Sequence, residues 1–169
     1  TLPKGDTTQR GRGVAVIMGG IYPESTRMET YSLISSSNGV EFGTLSAGNS
    51  AAWGGALASS TRGLIAGGNP VINNISYVEI PTLGDSIDFG DLTVARRHAV
   101  GVSNNIRGTW GGGETAGGTT QTDTIDFVTI ATTGNAQDFG NLTDARRGCA
   151  GAASPTRGLF ASGDSPGAV

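Results

Sequence analysis

The sequence predicts an all-β chain built from one four-strand unit written several times. Three observations carry that prediction. Glycine is the compositional outlier, 29 of 169 residues against an average of ~7 %, and it supplies the positive φ of tight turns. Short alternating runs bearing one aromatic, "METYSLIS", "ISYVEIP" and "DTIDFVTIA", have the two-residue period of strands and not the period of helices. A marker, Phe-Gly-x-Leu, recurs at Phe42, Phe89 and Phe139, each time behind an acid, Glu41, Asp88 or Asp138.

The elements of one unit follow in order. An Arg-Gly pair opens a short apolar run that ends in glycines: Arg12 before "VAVIMGG", Arg62 before "LIAGG", Arg107 before "TWGGG" and Arg157 before "LFASG". Glycines at that end suit a bend where backbones come close. The aromatic-bearing run follows as a longer strand, with Tyr31, Tyr77 or Phe127 eleven or twelve residues before the marker. The marker itself is a short third strand. A run of small residues, "RHAVGVSN" or "RGCAGAAS", closes the unit.

Four strands at a period of about 45–50 residues is the pattern of a β-propeller blade. The small-residue strand fits the innermost place, where blades converge and large side chains collide. Residues 1–169 then form one repeat domain with units at about 12–61, 62–106 and 107–156 and a partial fourth at 157–169. A threefold β-trefoil or β-prism is the alternative, and a stacked β-solenoid or fibre module a third.

The order "ARRHAVGVSN…IRGTWGGG…TDTIDFVTI…AQDFGNLTDARR" resembles a kelch-type blade, in which a small-residue strand precedes one ending in paired glycines and then an aromatic-bearing one. The late tryptophan of kelch repeats is missing, and Phe42, Phe89 and Phe139 stand in for it. The wording of the repeats, from Arg12 to Gly163, is similar to tandem repeats in structural proteins of marine tailed phages, cyanophages in particular. That resemblance implies a non-enzymatic virion component, such as a fibre, tail-associated or capsid-decorating protein, that meets other virion proteins. In kelch order the chain opens at a second strand and stops at another second strand. Three units do not close a propeller, and open strand edges invite pairing. Homo-oligomers are therefore expected, two copies making six blades or three making a fibre-type assembly.

Composition bounds the other function classes. A net charge of −3 lacks the basic footprint of nucleic-acid binding. No stretch approaches the ~18 apolar residues of a membrane span, and the opening residues lack an apolar signal core. No nucleic-acid or membrane partner is expected. One histidine, His98, and one cysteine, Cys149, give no transition-metal ligand set and no catalytic triad. His98 reads as a surface or axial-channel residue, and the acids Asp85, Asp88 and Asp91 do not follow a calcium-loop spacing. No cofactor, metal or catalytic residue is assigned.

Residues present in every unit read as architectural. Arg12, Arg62, Arg107 and Arg157 are expected to pair with Glu41, Asp88 and Asp138 or to fork onto backbone turns. The double arginines Arg96-Arg97 and Arg146-Arg147 have no counterpart in the first unit, where Gly48-Asn49 stands. Adjacent strand residues face opposite ways, so one of each pair is expected inward and the other outward. Tyr22, Glu24, Arg96, Arg146 and Glu114 are the candidate contacts for a partner or, in a lectin-like alternative, for host-surface glycans. Trp53 and Trp110 read as packing residues.

Overall fold

The computed structural model describes residues 13–20, 25–46, 53–115 and 120–165. They form an all-β chain of antiparallel sheets, none of them closed, and no helix occurs among them. Sheet I holds β1 (Val14–Gly20), β2 (Ser25–Ser32) and β3 (Val40–Thr44). Sheet II holds β4 (Gly55–Ala58), β5 (Arg62–Ala66), β6 (Asn74–Glu79) and β7 (Ile87–Asp91). Sheet III holds β8 (Val100–Ser103), β9 (Arg107–Gly111), β10 (Thr124–Thr129) and β11 (Gln137–Asn141). Sheet IV holds β12 (Ala150–Ala153) and β13 (Gly158–Ala161). Each is a meander whose strands pair in chain order. Sheets II and III begin at the small-residue strand, so each expected unit hands its last strand to the next sheet. Arg12, Tyr22 and Glu24 lie outside the described residues.

The Phe-Gly marker encodes a bulge. Ile75 pairs with Gly90 while its neighbour Ser76 pairs with Asp88, which leaves Phe89 as the extra residue; Phe139 holds that place in sheet III and Phe42 in sheet I. A bulge of this kind needs a residue free to take unusual φ, and Gly90 and Gly140 have φ of 143° and 135°. The bulge also brings the following sheet close. A Cβ on Gly90 would stand 2.5 Å from the carbonyl of Gly134, whereas one on Gly140 would meet nothing within 4 Å.

Successive sheets are locked edge to edge by the same bonds. Gly84 N–H donates to Phe42 O at 2.8 Å and Ser86 N–H to Thr44 O at 2.9 Å; Gly134 N–H donates to Phe89 O at 2.7 Å and Ala136 N–H to Asp91 O at 2.8 Å. A side-chain oxygen completes each lock, Asp85 accepting from Thr44 N–H at 2.8 Å and Asn135 from Asp91 N–H at 3.1 Å. Behind the locks lie two cores. Met28, Phe42 and Leu45 of sheet I meet Ile65 and Val78 of sheet II. Leu64, Ile75, Phe89 and Leu92 on the II side meet Trp110, Val128 and Ile130 of sheet III.

The small-residue strands β4, β8 and β12 run side by side. A Cβ on Gly101 would reach within 2.3 Å of Ala56 O, and one on Gly151 within 2.5 Å of Val100. Small residues on these strands are what allow their backbones to approach so closely. Trp110 is fully buried, its indole N–H donating to Gly55 O at 2.8 Å, so its role is packing, as its sequence position suggested.

Two expectations are corrected. Tyr31 is not the counterpart of Tyr77 and Phe127: the register puts Thr30 opposite Val16 where Tyr77 faces Leu64 and Phe127 faces Thr109. Its eleven-residue offset from the marker, one short of the others, turns it to the other face. Phe139 does not pack as Phe42 and Phe89 do. They are 3 % and 2 % exposed and it is 54 % exposed, because sheet IV has two strands and reaches only part of the way across sheet III.

Candidate functional site

Among the described residues, the repeated arginines Arg62, Arg107 and Arg157 do not pair with the repeated acids Glu41, Asp88 and Asp138. Arg62 lies over the Tyr77 ring at 4.7 Å, bonds Glu79 through Nε at 2.7 Å and donates across to Ile130 O at 3.1 Å. Arg107 lies over Phe127 at 4.7 Å and Phe139 at 5.7 Å. Arg157 donates its backbone N–H to Ser154 Oγ at 3.1 Å. Glu41 makes a loose exposed contact with Arg27 at 3.6 Å, Asp88 accepts from Asn74 Nδ2, and Asp138 accepts from Gly140 N–H. The physical reason is the strand register. The arginine opens the second strand of a sheet beside the aromatic of the third, where a guanidinium stacks on a ring, while the acid sits on the fourth strand, one strand further out.

The double arginine in the linker before sheet III divides as expected. Arg96 is completely buried and Arg97 partly exposed. Arg96 Nη2 bonds Asp126 Oδ2 at 2.9 Å and Trp110 O at 3.2 Å, and Nη1 reaches Thr124 O at 3.4 Å. Asp126 is also fully buried and accepts from both the N–H and the hydroxyl of Thr93. Register places Ser76 where sheet III has Asp126, and Ser76 sits 3.5 Å from Ser46 Oγ. A hydroxyl pair thus takes the place of the Thr93–Asp126 contact, and no carboxylate stands at that position on the third strand of sheet II to receive an arginine. Arg146 bonds Asp144 Oδ2 at 2.9 Å and Ser162 O at 3.4 Å.

The most concentrated polar arrangement lies where the inner strands start. Trp53, His98 and Gly148 hold equivalent places and share a left-handed backbone, with φ of 63°, 57° and 62°. Each is tied to the one before, His98 N–H donating to Trp53 O at 2.6 Å and Gly148 N–H to His98 O at 3.0 Å. Beside this chain runs an alternating series of cations and acceptors. Asn69, Glu114 and Asp164 each stand three residues beyond the last residue of β5, β9 and β13. Arg97 bonds Glu114 Oε1 through Nε at 2.8 Å and reaches Asn69 Oδ1 at 3.4 Å. Arg147 bonds Glu114 Oε2 through Nη1 and Asp164 Oδ2 at 3.0 Å. One side chain per sheet hands the contact to the next.

Glu114 is thus fully buried with both carboxylate oxygens occupied, and Arg96 is equally enclosed. Neither is available as a partner or glycan contact, which corrects that expectation; the bonding that consumes them is structural. Burial pushes the Glu114 carboxyl up, but hydrogen bonds from Arg147 and Arg97 and their charges outweigh it and hold the group below the ordinary 4.5. His98 stacks on Trp53 with centroids 4.8 Å apart, and Arg97 lies over the same indole at 4.7 Å. Its Nδ1 is buried without a hydrogen-bond partner, 3.8 Å from Glu114 Oε2. Burial, chiefly, with Arg97 and Arg147 adding to it, lowers its pKa below 6.5 against the pull of Glu114. The balance favours the neutral ring of His98.

Sequence reasoning missed Glu114, Asp126 and Asn69 as members of pairs. The signal for two of them, Asn69 and Glu114, was present: "GGN", "GGE" and "SGD" put an acceptor after the glycine turn in three units. Cys149 is buried, and burial raises its thiol pKa, the behaviour of an inert small apolar residue. Among the described residues no three His, Cys, Asp or Glu side chains gather as ligands for a metal ion. A scan against protein families found no match, and a search of curated proteins found none either.

Proposed function

We propose that this chain is a non-enzymatic structural component of a phage particle, built as kelch-like β-propeller blades and working through protein–protein contacts, including contacts between its own copies. The observation that carries this reading is the sheet-to-sheet interface. One design, with bulge glycine, backbone lock and buried aromatic, is used twice inside the chain and then stands open on sheet III. The meander order, the crowded inner strands and the polar series running from sheet to sheet support blades around an axis better than a threefold trefoil or prism. The charged groups that could serve chemistry, Glu114, Asp126, Arg96 and Arg97, are occupied in holding sheets together. The virion setting rests on the likeness of the repeats to phage structural proteins.

Antibody labelling of intact purified particles of the phage that encodes the chain tests this. Label at a fixed place on the particle, with no substrate turnover by the purified chain, is the expected result. Absence from particles, or saturable binding of host glycans abolished by loop substitutions, would replace it with the adhesion reading.

A further inference from the structure

Sheet III ends in an interface that is half made. Beyond Phe139, β12 and β13 cover only the inner part of its face, leaving a cleft of about 310 Å³ lined by Arg107, Ile125, Phe139, Arg157 and Phe160. Sheet I has the opposite imbalance. Ile17, Tyr31 and Leu33 are 54 %, 36 % and 61 % exposed, while the residues in their register places in sheet III, Trp110, Val128 and Ile130, are 0 %, 4 % and 1 % exposed under sheet II. One end of the molecule offers the uncovered half of the internal interface and the other end offers its complement.

We propose that sheet I of a second copy docks on sheet III, repeating the internal interface between copies; this rests on the blade reading above and names the partner. Two polar matches and one steric one single out a second copy over an unrelated protein. Arg96 reaches forward from the linker before sheet III to Asp126 on its third strand; Arg146 holds the same place before sheet IV, and the residue in Asp126's place in sheet I is Glu29, an exposed acid. Asp85 and Asn135 accept the lock hydrogen bond two residues before β7 and β11; the residue two before β3 is Asn38, an exposed amide whose oxygen would accept from Asn141 N–H. The bulge glycine Gly140 has nothing within 4 Å, the space that Gly84 and Gly134 fill for Gly43 and Gly90. Apolar area, charge and backbone lock coincide in one register.

The docking has a strand consequence. β1 and β13 are both second strands, with Ile17 and Phe160 in matching register, so both cannot lie beside β12. β13 is mostly exposed, Leu159 to 60 %, and its sheet has only two strands. In the assembly β12 of one copy pairs with β1 of the other and β13 is released. Two copies then share two such contacts around a twofold axis, which closes without leaving an open face.

The test is a charge exchange read by sedimentation of the full chain. R146E and E29R, both at exposed or partly exposed positions, should each weaken self-association at least tenfold, and the double exchange R146E/E29R should recover most of it. F139D should abolish association, and a chain ending at Arg157 should associate at least as tightly as the full chain. A chain that stays single up to about 100 µM, well above the range of specific protein pairs, or single exchanges that change nothing, would overturn the proposal. Particle labelling would still stand in that case, so failure of the self-contact and failure of the virion reading are separable. Loss of association on removing residues 158–169 would overturn the release of β13.

Discussion

At the scale of single residues, charges sealed between sheets II and III set the stability. Arg96 and Asp126 are both fully buried and bonded to each other and to backbone carbonyls and Thr93. Removing one partner leaves the other charge without compensation, which costs about 3–5 kcal/mol. Asp126→Ala should therefore lower unfolding free energy by that order in denaturant titration, while replacing both members with apolar residues should restore much of it. Glu114 and His98 give a second expectation, in pH. Both titrate lower in the folded chain than in the unfolded one, so the unfolded state takes up protons first and stability falls as pH falls. The His98 contribution begins to be lost below about 6.5 and that of Glu114 below about 4.5. Melting temperature should thus decline in two stages on acidification, and His98→Gln should flatten the upper stage alone.

At the scale of elements, the strands were legible in the sequence because each is marked by a residue its geometry needs: small residues where inner strands crowd, Phe-Gly where the bulge forms, glycine pairs where the second strand turns. Register was less legible. Tyr31 lies one residue closer to its marker than Tyr77 and Phe127 do, and a one-residue slip reverses the face of every side chain. The arginine pairing was not legible, since which acid an arginine meets depends on strand order across the sheet and not on spacing along the chain. Burial of Phe139 was misread for a different reason: the repeat motif is identical, but the neighbour that covers it in sheets I and II is not supplied by sheet IV. The same motif should then have unequal energetic weight. Phe89→Ala should cost about 3–5 kcal/mol, the range for a buried Phe, and Phe139→Ala much less in the isolated chain, as measured by chemical unfolding.

At the scale of the whole molecule, the chain is a run of sheets whose one interface design is satisfied twice and left open at both ends. An open edge of this kind is a liability unless something occupies it, and the molecule carries the matching occupant on its own first sheet. The direct measurement is the native mass of the wild-type chain by sedimentation across a range of concentrations. A species of twice the 17.0 kDa chain mass, stable at micromolar concentration and split by Phe139→Asp, is the predicted result. A mass that stays at that of one chain at every concentration would contradict the account.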